Sequence, residues 1–145
     1  MAINASKVVV GGLVAGVVAN IVGYVLFGML LGPRFEAELT AVAPALAGRG
    51  ATGMAVATQV VSSFVIGFLL VWLYAAMRPR FGPGPKTAIL AAVVVWICGF
   101  LFHVDMLLLG TMTTTTYMLA SAAAAAQVIA ASWIGGMLYT EPTAA

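Results

Sequence analysis

Four long apolar runs, Val8–Gly32, Met54–Met77, Thr87–Leu109 and Tyr117–Tyr139, constrain this chain more than any motif in it. Each reaches the ~20 residues that a helix rising ~1.5 Å per residue needs to cross a hydrocarbon core of ~30 Å. Lipid offers the backbone no hydrogen-bond partner, so runs of this length must satisfy their own amides as helices. The expected fold is an all-α membrane protein in which four transmembrane helices pack as a bundle.

Composition sharpens the class. Apolar residues make up 63% of the chain and charged residues 7%, against about half and a quarter in soluble domains. Four spans in 145 residues leave only short connections, so residues 1–145 form a single transmembrane domain. The net charge of +2 comes from few groups and implies no nucleic-acid partner. The lone Cys98 lies within the third run, has no base beside it, and reads as inert core. The first run is longer than the ~7–15 apolar residues of a signal peptide and reads as an uncleaved helix.

Basic residues set the expected orientation. With four spans, the N-terminus, the loop Arg78–Lys86 and the C-terminus share one side, which holds Lys7, Arg78, Arg80 and Lys86. The other side holds Arg34 and Arg49. This excess places both termini in the cytoplasm. Trp72, Tyr74 and Tyr139 then fall near the cytoplasmic headgroup layer and Tyr117 near the outer one.

The connections differ. Pro33–Gly50 starts with a proline suited to a first helical turn and carries Phe35, Leu39, Val42 and Leu46 at helical spacing, with Arg34, Glu36 and Glu38 off that stripe. A short interfacial helix between the first two spans satisfies this pattern, limited by Pro44. The loop RPRFGPGPK reads as a stiff turn whose Arg78, Arg80 and Lys86 meet lipid headgroups, each cation contributing about 1 kcal/mol at an anionic leaflet. One threonine of Gly110–Thr116 is expected to cap the fourth helix.

The stretches Trp72–Ala88 (WLYAAMRPRFGPGPKTA) and Val22–Leu39 (VGYVLFGMLLGPRFEAEL) resemble segments of a group of small bacterial four-helix integral membrane proteins. The similarity covers most of the chain and is weakest after Thr111. It implies the architecture and a bacterial inner membrane, and it brings no activity and no functional residue.

Small residues mark the packing faces. Gly12, Ala15, Gly16, Ala19, Asn20 and Gly23 share one face of the first helix, with Gly12, Gly16 and Gly23 as its points of close helix contact. The second helix offers Ala55, Gln59, Ser62, Ser63 and Gly67, and the fourth Ala120, Ala123, Ala124, Gln127, Ala131 and Gly135. The polar members, Asn20, Gln59, Ser62, Ser63 and Gln127, admit two readings. They form a polar column open to the outer side, or they are glue in which each amide bonds a neighbouring helix for about 0.6–2 kcal/mol.

Ionisable groups within a span are functional candidates by default. His103 shares a face with Trp96, Gly99 and Phe100, and its expected bonding partners are Gln59 or Ser63. Asp105 lies about 200° round the helix and is read as a contact for a partner or for headgroups. The two do not converge on one site unless the helix end is distorted, and no third metal ligand accompanies them. No cofactor is expected; the one cofactor reading the chain leaves open is single axial ligation of haem or chlorophyll by His103.

Enzyme chemistry has no foothold, because no nucleophile–base pair, phosphate loop or metal-ligand cluster is present. The expected role is a non-catalytic accessory or structural subunit of a larger inner-membrane complex, for example a respiratory or photosynthetic one. Its partners are membrane lipids and other membrane subunits, with a homo-oligomer also open. The alternative is a small transporter or channel using the polar column, although the first helix carries Asn20 where proton exchange would want a carboxylate.

Overall fold

A computed structural model describes residues 3–140. Their regular structure is helical throughout, and no strand occurs among the described residues. The order is α1 (Ala5–Gly23) running into a π-helical segment (Tyr24–Leu30), α2 (Gly32–Val42), α3 (Gly53–Phe81), α4 (Pro85–Phe102), the short α5 (Asp105–Leu108) and α6 (Thr114–Met137). Four of these stretches, Ala5–Leu30, Gly53–Phe81, Pro85–Leu108 and Thr114–Met137, are long and apolar enough to cross a membrane.

Local chemistry explains the starts. Asn4 caps α1 by accepting from Lys7 N, Thr52 caps α3 through Ala55 N, and Thr113 caps α6 through Thr116 N, each at 3.3 Å. The expected threonine cap is thus Thr113. Pro85 opens α4 immediately after Gly84, whose φ of 123° few other residues adopt.

Three boundaries differ from the sequence reading. The expected loop Arg78–Lys86 is mostly helix, because α3 continues through Pro79 to Phe81 and only residues 82–84 turn. A proline in the last turn removes one backbone bond without stopping the helix there. The first run does not stay α-helical: Leu31 N bonds Leu26 O, five residues back. The third run breaks at His103 and Val104, where Gly99 O receives both the His103 amide and its ring, and Val104 N tightens to Leu101 O.

The four long helices pack with α3 and α6 on the short diagonal and α1 and α4 at the far corners. Glycines permit this at the end bearing both termini. A Cβ on Gly67 of α3 would lie 2.5 Å from Gly16 N and 2.7 Å from Gly12 O, so α1 and α3 meet backbone to backbone. Gly11 and Gly135 do the same for α1 and α6. Gly12 and Gly16 are therefore packing residues, each filled against by a phenylalanine, Phe68 and Phe64, while Gly23 gives room to the Gln127 amide.

The core lies mainly in this terminal half. On α4 the buried residues are Thr87, Ala88, Ala91 and Ala92, all near its start. On α6 they are mainly Val128, Ala131, Ser132, Gly135 and Gly136, near its end. Ser132 Oγ donates to Ala88 O at 2.8 Å and ties these two together. Tyr74 and Tyr139 are buried edge to face with centroids 6.2 Å apart. Tyr74 Oη accepts from Gly84 N and Tyr139 Oη from Asn4 N. Asn4 Nδ2 also donates to Thr140 O, so the chain's described ends are bonded together. Arg78 stands over the Tyr139 ring at 5.6 Å and is turned partly inward, leaving Arg80 and Lys86 as the exposed cations of the expected headgroup trio.

Candidate functional site: a chamber in the distal half

Away from the termini the helices splay. Large side chains join Gly99, Ala120 and Ala124 there: Phe27 from the π-helical segment, Trp96 and Phe100 from α4, Tyr117 from α6. Between them lies a chamber of about 510 Å³, within the ~300–1,000 Å³ typical of small-molecule sites. Its lining is overwhelmingly apolar. The π-helical segment contributes directly, since its wider turn carries Phe27 to stack on Phe35 of α2 at 6.3 Å with planes 14° apart.

α2 closes the distal end. Its Glu38 carboxylate accepts from Thr113 N at 2.9 Å, Thr113 Oγ1 at 2.9 Å and Thr116 Oγ1 at 2.5 Å. Arg34 Nε sits 3.5 Å from Glu38 Oε1 and also donates to Thr116 Oγ1. The first amides of a helix lack intrahelical acceptors, and its N-terminus favours negative charge. Glu38 answers both needs of α6 from another helix, as the glutamate of a capping box does from within one. The Thr116 hydroxyl, and then the Thr113 amide and hydroxyl and Arg34, hold this carboxyl below its ordinary range, against the opposing effect of burial. The sequence reading left Glu38 off the apolar stripe, facing away. The signal that could have found it is the Thr113–Thr116 run itself, a helix start rich in donors.

Polar groups along the wall are mostly engaged. Trp96 Nε1 donates to Ser121 O at 2.9 Å and to its Oγ at 3.2 Å, and Tyr117 Oη donates to Phe100 O. His103 lies at the mouth, exposed, with Nδ1 2.7 Å from Gly99 O. A carbonyl only accepts, so Nδ1 is the donor in that contact. Its partner is thus its own helix, neither Gln59 nor Ser63.

The five residues of the expected polar column are not joined into one. Gln59 is exposed, Ser62 half-buried, and Ser63 Oγ donates to Gln59 O within α3. Asn20 Nδ2 reaches Gly16 O at 2.9 Å and Val60 O at 3.4 Å. Only Gln127 lines the chamber, and its Nε2 donates to Ala19 O at 2.8 Å. The physical reason is that polar side chains in an apolar bundle bond the nearest backbone carbonyl, of their own helix or the next, rather than one another.

Asp105 is exposed at the start of α5, beyond the break that follows Phe102, and does not line the chamber. Cys98 is exposed on α4 rather than in a core. No group of three or more metal-ligating side chains occurs among the described residues. Comparison with protein families, with curated proteins and with solved structures finds no match for this chain.

Proposed function

We propose that this chain is a non-catalytic protein of a bacterial inner membrane that holds a lipid-soluble ligand in its distal chamber, as an accessory subunit of a larger membrane assembly. The observation that carries the reading is the division of one bundle into two unlike halves. The terminal half is closed by glycine crossings, with Gly11 against Gly135 and Gly67 against Gly12 and Gly16. The distal half keeps a chamber of about 510 Å³ open beneath a helix that is latched in place by Glu38.

Wherever that volume is unfilled, its apolar lining forfeits contacts. A ligand supplies them. The chamber's lining stops at Val128, above the glycine crossings, which favours holding over the alternative of transport through the bundle. The basic residues at the terminal end, Lys7, Arg78, Arg80 and Lys86 against Arg34 and Arg49, favour termini in the cytoplasm and the chamber in the outer leaflet. The exposed Asp105, just outside the chamber, is the contact offered to a partner subunit.

The test is to purify the protein in mild detergent, extract bound lipid and compare it with Ala124→Phe, which puts a ring into the chamber from its wall. Wild type retains a stoichiometric apolar molecule and the variant does not. Equal retention by both overturns the binding reading, and purification without any larger subunit overturns the accessory one.

A further inference from the structure

We infer that the chamber's ligand is an uncharged lipid headed by a flat ring, with the ring among the aromatic side chains beneath α2 and an aliphatic tail directed toward the glycine crossings. The inference rests on the chamber reading above and names the class of its occupant.

Size comes first. A volume of about 510 Å³ is roughly three times the ~150 Å³ of an apolar cavity that takes benzene, and so has room for about twenty non-hydrogen atoms. On α6 the lining runs from Tyr117 to Val128, a rise of about 16 Å. A site of that length and volume suits a ring followed by a tail of about ten carbons, and is too small for the head and both chains of a phospholipid.

The lining changes character along that length. Toward α2 it is aromatic. Trp96, Phe100 and Tyr117 stand in series with centroids 5.9 and 5.2 Å apart, and the stacked Phe27 and Phe35 line the same space. Aromatic faces and edges gain from a further ring beyond the area it buries. Toward the glycine crossings the lining is aliphatic, with Ile66, Val95 and Val128, apart from Gln127, whose amide is tied to Ala19 O. A flexible chain packs well at that end, whereas only a ring uses the other end fully.

Charge excludes the ionic heads. Among the described residues no lysine or arginine lines the chamber. Its one carboxylate, Glu38, has both oxygens engaged by Thr113 and Thr116 and is offset by Arg34. An anionic head would meet no lysine or arginine, a cationic one would find the carboxylate already offset, and a buried charge without a partner is costly. A neutral head carries no such cost. Its oxygen has a partner at ring level in Ser121, one helical turn from Tyr117. That hydroxyl accepts from Trp96 Nε1 at 3.2 Å and keeps a hydrogen to give and a lone pair to receive, so it meets a hydroxyl or a carbonyl alike.

The experiment uses the full chain in nanodiscs of saturated phosphatidylcholine, with affinities expressed per mole fraction of probe in the lipid. The probes are para-decylphenol, hexadecanol, para-decylbenzenesulfonate and para-decylphenyl-trimethylammonium. The phenol should bind about tenfold more tightly than hexadecanol, which has the same carbon and oxygen count without the ring. It should also bind about tenfold more tightly than the sulfonate or the ammonium compound, which keep ring and tail and add a fixed charge. Phe100→Leu removes one ring from an apolar wall and should cut the advantage over hexadecanol to about threefold or less. Equal affinity for the phenol and hexadecanol in wild type overturns the inference without need of any variant, and so does tighter binding of either charged probe. Both results leave the chamber standing as a lipid site. A ring advantage unchanged in folded Phe100→Leu protein overturns the placement of the ring. Binding of every probe unchanged by Ala124→Phe overturns the inference and the chamber reading together.

Discussion

Glu38 and Thr113, 75 positions apart, meet through two hydrogen bonds of 2.9 Å, one to the Thr113 amide and one to its hydroxyl. The contact fastens the lid helix to the start of the last long helix, beside the distal chamber that Glu38 helps to line.

The latch should respond to acid. Because the folded-state pKa of Glu38 is lowered, its stabilisation is present above the unfolded value, ~4.3 for a glutamate, and is lost as pH falls through the folded value. Protection of residues 32–42 against hydrogen exchange, relative to the intrinsic rate at each pH, should fall below about pH 4. Glu38→Ala should show the faster exchange already at neutral pH and lose about 1–2 kcal/mol of stability. A protection factor that is independent of pH in wild type would separate the lid from this carboxylate.

Close backbone approach should make the α1–α3 contact intolerant of a single methyl group. Gly67→Ala puts a Cβ 2.5 Å from Gly16 N, and neither backbone can step aside. The expected loss is about 1–3 kcal/mol in detergent melts. Gly16→Leu, facing Phe64 Cα at 2.9 Å, should cost at least as much without preventing insertion. Gly99→Ala, with open space around it, is the control and should melt as wild type does.

Substitutions on the two sides of the α4 break should fail differently. His103→Leu removes a bond to its own helix at an exposed position, so the melting transition should shift by no more than about 1 kcal/mol. Asp105→Asn should leave the isolated bundle intact and weaken co-purification of larger subunits. Loss of proton-coupled flux in vesicles on Asp105→Asn would instead favour a transporter.

Orientation is open to direct measurement. A reporter active only in the cytoplasm, fused after Ala145, should be active, and one inserted within Ala41–Gly50 should be silent. The opposite pattern would invert the chamber to the inner leaflet.

Hydropathy made the four long helices legible, because insertion into lipid depends on the sum over a span and not on its neighbours. The small-residue faces were legible for a related reason: glycine at positions 12, 16 and 67 has no use in a lipid-facing turn. The chamber was not. It exists because the π-helical segment turns Phe27 toward Phe35, and because Gly99 O draws in both the amide and ring of His103 and ends α4. Neither event leaves a periodic trace. Glu38 looked like a solvated face because its partners, Thr113 and Thr116, belong to a helix whose place beside it is fixed only by the packed bundle.

The bonding of Asn4 to Tyr139 and Thr140, together with the crossing of Gly11 over Gly135, has a consequence for assembly. Membrane chains emerge and insert from the N-terminus onward. The α1–α3 pair can form early, yet α1 keeps one glycine-lined side vacant until the final helix arrives. Within this bundle, α1 is completed by α6. Until then the bundle is a half-built ring, open along the Gly11 side of α1.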